Sequence, residues 1–130
     1  MDKKGAEAML VSFTVTPIAV NGKEVECSIE GPNVIDEAIF LDLDQGYDLT
    51  FQIVSGPGGT YTFDPSKPFC NQSGRCPPVK GGSAHSPYSV TSKSATSITV
   101  HCDPIHSKAV SHYRLNFAND FTCDPIIIHD

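Results

Sequence analysis

Apolar and polar residues alternate along most of this chain with a period of two. In the first such segment Val11, Phe13 and Val15 fall on one face, and serine or threonine residues occupy the positions between them. This alternation is typical of a β-strand with one buried face. Segments with the same pattern lie at 25–29, 47–53, 98–102 and 113–117.

Turn signals separate these segments. Asn21-Gly22 stands between the first two, and this dipeptide tolerates the positive φ angles of a tight hairpin turn. Pro17 cannot donate to a strand ladder, so it predicts a bulge or an edge position. No segment has a convincing helical period. About nine short strands in one domain of 130 residues predict an all-β fold, a two-sheet antiparallel sandwich of immunoglobulin-like form spanning 1–130.

One long stretch, residues 64–87, breaks the alternation. It contains five prolines and three glycines, and connections of this length are usually functional or mobile. Within it, Cys70 and Cys76 bracket a turn-favouring Asn-Gln-Ser-Gly-Arg sequence. These two cysteines could form a loop-closing disulfide in an oxidising environment. A redox-responsive module using this pair is therefore one functional hypothesis.

The charge of the chain argues against nucleic acid as a partner. The formal net charge is −6, and residues 1–65 carry three lysines against eleven acidic residues. Binding to a phosphate backbone needs clustered basic charge, which this sequence lacks. No apolar run reaches the roughly 18 residues of a membrane-spanning helix, and no signal peptide is visible. We therefore expect a cytoplasmic protein without membrane contact, in which most cysteines are reduced.

Four residues of the last third are the candidate metal ligands: His101, Asp103, His106 and His112. His101 and His112 both fall on polar strand faces, so two neighbouring strands could bring them together. The alternative is that these histidines occupy ordinary solvated faces. The sequence contains no compact His-x-His motif, and this favours the alternative.

No catalytic motif supports an enzyme. The chain lacks a Gly-x-Ser-x-Gly elbow and a phosphate-binding glycine loop, and we expect no cofactor. The Asp-Pro dipeptide occurs three times, with Asp64, Asp103 and Asp124, and this pair usually forms a strand-flanking turn.

The sequence Cys123-Asp124-Pro125-Ile126-Ile127-Ile128 resembles the ending of the small bacterial family called DP-EP, named for an Asp-Pro and a Glu-Pro element. Asp124-Pro125 matches the first element, whereas the chain stops at Asp130 without the second. The resemblance implies a compact all-β bacterial domain of unknown function and carries over no catalytic residue.

The leading hypothesis is a non-catalytic β-sandwich module that binds a protein partner or self-associates. Exposed edge strands and the 64–87 loop would supply its contact surface. A metal-dependent enzyme or metal-binding protein that uses the histidines of the last third is the first alternative. The redox-responsive module is the second.

Overall fold

The computed structural model describes residues 7–71, 88–124 and 126–130. These ranges are all β, apart from one 3-10 turn at Ala118–Asp120, which confirms the predicted class. Eleven strands are present where the sequence predicted about nine. They are β1 (Met9–Asn21), β2 (Glu24–Glu30), β3 (Val34–Ile35), β4 (Ala38–Leu41), β5 (Tyr47–Ile53), β6 (Phe69–Asn71), β7 (Tyr88–Lys93), β8 (Ser97–Cys102), β9 (Ala109–Asn116), β10 (Thr122–Cys123) and β11 (Ile126–His129).

The strands form two sheets that share β9. The large sheet has eight strands in the order β6-β9-β10-β2-β1-β5-β8-β7 and is nearly closed, like a barrel. The small sheet has four strands in the order β3-β4-β11-β9. The first half of β9 pairs with β11, and its second half pairs with β6 and β10. The two sheets are therefore joined through one continuous strand.

The predicted antiparallel sandwich is corrected in two respects. Three pairings are parallel, β1 with β5, β2 with β10 and β4 with β11, so the sheets are mixed. The large sheet also curls back on itself, since the tilted rings of Phe51 (β5) and Tyr113 (β9) pack against each other across the interior with centroids 5.7 Å apart. Alternation in the sequence assigns a face to each side chain, but it contains no information about strand direction or partner.

The interior is organised by aromatic rings. Phe13 stacks on Phe51 with centroids 5.3 Å apart, and Tyr113 stacks on Phe69 at 5.3 Å. Phe69 in turn packs against Tyr88 at 5.6 Å, where the two ends of the large sheet approach each other. Aromatic pairs at such distances contribute beyond their buried area, so this series of contacts ties the curled sheet together.

The predicted β1–β2 hairpin is present, and its strands are antiparallel. The turn lies one residue later than predicted, because Asn21 still pairs with Glu24 and only Gly22 of the Asn21-Gly22 pair takes a positive φ, of 64°. The register shifts between Pro17 and Ala19, which confirms the bulge at Pro17.

Part of the predicted 64–87 loop is regular. Phe69–Asn71 is strand β6 and pairs with β9, and Phe69 and Cys70 are buried. The sequence did not predict this strand because three residues are too few to show an alternating pattern. Residues 72–87, with Cys76, lie outside the described residues. Across the described ranges, no helix is long and apolar enough to cross a membrane.

Candidate functional site

His101, the first of the predicted ligands, lies between two carboxylates. It stands opposite Asp48 in the β5–β8 pairing, and its Nδ1 is 2.8 Å from Asp48 Oδ1. Its Nε2 is 3.2 Å from Asp103 Oδ1, just beyond the end of β8. The ring is partly exposed, at 35 % of its side-chain surface. The imidazole therefore bridges an adjacent strand and the loop that follows its own strand.

The two carboxylates favour the protonated imidazole. The hydrogen bond with Asp48 raises the pKa of His101 above its ordinary value, although burial acts in the opposite direction. In the protonated form both ring nitrogens donate hydrogen bonds, and no lone pair is left for a metal ion. The chemistry of this group is thus that of a charge-assisted hydrogen bond between strands.

A second pair joins the loops next to this site. His106 Nδ1 is 2.6 Å from Asp44 Oδ1, and the Asp44 N–H donates to the carbonyl of Ile105 at 2.8 Å. Both side chains of the ion pair are largely exposed, and such pairs contribute little to stability because water screens them. The backbone bond orders the two loops more than the ion pair does.

The structure brings together only part of the predicted metal set. His101 and Asp103 are in contact, whereas His106 contacts Asp44 and the exposed His112 lies on β9 opposite Ile126. In residues 7–71, 88–124 and 126–130, no group of three or more His, Cys, Asp or Glu side chains could hold a metal ion. Sequence reasoning missed Asp48, although it shares the polar strand face with His101.

The predicted disulfide falls partly outside the described residues. Cys70 is buried and disulfide-bonded, and the side-chain amide of Asn116 donates to its sulfur at 3.0 Å. Cys76 is not among the described residues, so its pairing with Cys70 stays a prediction.

A surface that the sequence analysis did not identify lies on the small sheet. Its outward positions form two adjacent rows. Val110, Ile128 and Phe40 are neighbours in the first, and in the second Ala38 is the neighbour of Ile35, while the exposed His112 occupies the β9 end. Ile35 is 60 % exposed and Val110 59 %, while the other three apolar residues are half-buried. We call these five apolar residues the apolar face.

This face is apolar on a sheet whose other side is already core. Ile39, Leu41 and Ile127 point inward from the same strands and are fully buried. The signal in the sequence is the continuous apolar runs Ala38–Leu41 and Ile126–Ile128, since such runs predict strands with two apolar faces. The alternation rule, which expects one polar face, is not suited to detecting them.

Charged residues stand at two opposite corners of the apolar face. Lys108 precedes β9 at one corner and lies 3.3 Å from Asp130. Asp36 and Glu37 form the exposed turn between β3 and β4 at the other corner, with φ angles of 51° and 67°. Lys108, whose charge Asp130 partly balances, and the acidic Asp36 therefore stand at diagonally opposite corners of the apolar face.

Comparisons with known proteins give no relative. No protein-family model, no curated protein and no solved structure matches this chain.

Proposed function

We propose that this protein is a non-catalytic module that self-associates through the apolar face. The observation that carries the proposal is the small sheet itself. Apolar residues fill its inner side and most of its outward positions, and the rest of the described chain covers only the inner side. An exposed contiguous apolar patch usually marks an interaction site.

A second copy of the chain fits this face because oppositely charged residues at its corners can meet across a twofold axis. The two copies can be related by a twofold axis that lies in the plane of the interface, along the diagonal between the charged corners. This axis places each charged corner of one copy over the opposite corner of the other copy. Lys108 of each copy then lies over Asp36 of the other, and the strands of the two small sheets cross steeply, as in orthogonal sheet packing. The same contact is made twice in such a dimer.

The size of the face predicts a weak dimer. Four strands spaced at about 4.8 Å, with about 3.3 Å per residue, give a patch on the order of a few hundred Å². This is well below the roughly 800 Å² per partner of a stable interface. We expect a dissociation constant on the order of 0.1 mM.

The test is sedimentation velocity over about 0.01 to 1 mM protein. The wild-type sedimentation coefficient should rise across this range, and Val110→Asp should abolish the rise because it buries an unpaired charge at the interface. Leu10→Asp is the matched control, since Leu10 is 82 % exposed on β1 of the large sheet. A wild-type protein that stays monomeric, or two variants with the same behaviour, would contradict the proposal.

A charge reversal tests the orientation of the dimer. Lys108→Glu should weaken association about tenfold, and the double variant with Asp36→Lys should restore it, because each corner meets the opposite corner of the partner. A double variant that is as stable as the single variant but does not regain association would exclude this twofold arrangement. It would not exclude the apolar face as the contact surface.

The edge-strand route to association stays a prediction. β7, at one end of the large sheet, carries a register shift between Val90 and Ser92 and ends on Lys93. Bulges and edge lysines both discourage the addition of another strand. This is why the sheet face supports the proposal better than the edge.

The finer predictions on fold, location and family also stay proposals. The immunoglobulin-like sandwich rests on the pattern of many short alternating strands in the sequence alone. A cytoplasmic location fits the free thiols of Cys27, Cys102 and Cys123, whereas the disulfide-bonded Cys70 is typical of an oxidising compartment. Membership of the DP-EP family rests on the Asp124-Pro125 resemblance alone.

A further inference from the structure

A cleft of about 410 Å³ opens where the two sheets separate. β10 pairs with β2 only at Thr122 and Glu24, after which the chain leaves for the small sheet while β2 continues beside β1. The ends of these strands therefore diverge. The residues that line the cleft include Cys27, Ile29, Glu37, Cys123 and Asp124.

Two free thiols meet in this cleft from different strands. Cys27 belongs to β2 and is half-buried, whereas Cys123 belongs to β10 and is buried. Cys27 has the same strand parity as the buried Val25 and Ile29 of β2, and Cys123 is the buried residue of the two in β10. The strand alternation that makes Cys27 a partial core residue also directs it toward Cys123.

The environment of Cys123 disfavours its thiolate. Its interaction with the Cys27 thiol, followed by burial, raises the pKa of Cys123, and the charges of Asp124 and Glu37 act in the same direction. Tyr113 is the other ionisable neighbour, and its hydroxyl is buried without a hydrogen-bond partner among the described residues. Cys123 is therefore a shielded thiol that depends on Cys27 for contact with a reagent.

We propose that Cys27 and Cys123 form a dithiol site that low-molecular-weight disulfides oxidise to an internal disulfide. This inference does not depend on the proposed self-association. It assigns a covalent modification to two cysteines that the sequence analysis treated as reduced thiols.

The reaction proceeds in two exchange steps. The Cys27 thiolate attacks one sulfur of the small disulfide, which forms a mixed disulfide on Cys27 and releases the first small thiol. Cys123 then loses its proton to solvent and attacks the Cys27 sulfur, which closes the protein disulfide and releases the second small thiol. Two protein thiols are oxidised, and one small disulfide is reduced to two thiols.

The protein disulfide would join β2 to β10, two strands that pair at one position only. It would close a loop of about 100 residues, and cross-links of that length restrict the unfolded chain strongly. We expect the thermal unfolding midpoint to rise by about 5 to 15 °C on oxidation.

The experiment is to incubate the whole protein with oxidised glutathione near pH 8.5, then block free thiols and map the linked peptides by mass spectrometry. The wild type should yield a Cys27–Cys123 peptide and no persistent adduct. In Cys123→Ser one glutathione should remain on Cys27, because nothing resolves it. In Cys27→Ser the buried Cys123 should stay unmodified.

Cys102 provides the matched control. It is also a free, fully buried cysteine, and burial raises its pKa to about 12, but it does not line this cleft. Cys102→Ser should leave the Cys27–Cys123 peptide unchanged. The two-step order should also appear in the rates, because resolution by Cys123 should accelerate as the pH is raised from 7 to about 9.

Two results would overturn the proposal. One is a wild-type protein that keeps glutathione on Cys27 without forming the internal link at any pH in this range. The other is a protein that remains unmodified while Cys27 reacts with a thiol-blocking reagent of similar size. Both are read on the wild type, so they stand even where a serine variant fails to fold.

Discussion

The outer faces of the two sheets differ in character although they share β9. On the large sheet, Thr50 and Thr99 stand opposite each other on neighbouring strands, and their hydroxyls are 3.1 Å apart. On the small sheet the corresponding outward positions hold Phe40, Val110 and Ile128. A polar outer face is satisfied by water and by its own cross-strand hydrogen bonds. An apolar outer face gains free energy only when something covers it.

The largest effect on stability should come from truncating a side chain on the inner side of β11 compared with one on its outer side. Ile127 is fully buried in the core, and its neighbour Ile128 is half-buried on the apolar face. We expect Ile127→Ala to lower the free energy of unfolding by about 2 to 5 kcal/mol, and Ile128→Ala by less than about 1 kcal/mol. Urea unfolding of both variants, measured in dilute protein, tests this difference. Equal losses would mean that the outer side is covered within the monomer.

A smaller effect should mark the hydrogen bond that links the sheets. Glu37, in the β3–β4 turn, accepts a hydrogen bond from the Ile29 N–H of β2 at 2.9 Å. Glu37→Ala removes the acceptor and should lower the free energy of unfolding by about 1 kcal/mol. Glu37→Gln keeps a carbonyl acceptor and should restore most of it. The same loss in both variants would indicate that the charge of Glu37, and not this bond, matters.

The smallest effect concerns His101 on the large sheet. Because Asp48 raises its pKa, its contribution to stability is complete below the unfolded value of about 6.5 and disappears as the pH rises through the higher folded value. Solvent screening limits this contribution to less than about 1 kcal/mol. His101→Gln should remove that part of the pH dependence above about pH 6.5, which is measured as the difference between variant and wild-type unfolding curves. Identical pH profiles would refute the assignment.

The sequence was most informative where one strand face is polar. Alternation identified the buried side of β1, β5 and β8, and Asn21-Gly22 identified the hairpin. It gave no warning that β4 and β11 pair in parallel, because Ile39 and Ile127 are 88 positions apart and both lie in uniformly apolar runs. The buried face of a strand can be deduced from its local sequence, whereas the strand with which it pairs, and whether that pairing is parallel, depend on the whole chain.

The candidate sites follow the same rule. His101 was placed correctly on a polar face, but its partner Asp48 belongs to a distant segment that only the strand pairing identifies. The thiol pair of Cys27 and Cys123 was missed for the same reason, since the two residues belong to distant segments that only the pairing of β2 with β10 brings together.

The shared strand β9 also sets the order in which the molecule can be assembled during synthesis. β4 emerges from the ribosome early and can pair with β3, but its other edge has no partner until β11 follows, and β11 in turn pairs with β9. The strands of the large sheet, apart from the two residues of β10, precede residue 117 and can begin to collect before then. The small sheet with its apolar face is therefore among the last parts to form, so a nascent chain carries Phe40 and Ile39 uncovered until residue 129 is available. The cell must tolerate that exposed segment for the time needed to translate nearly ninety further residues, at about 5 to 20 residues per second.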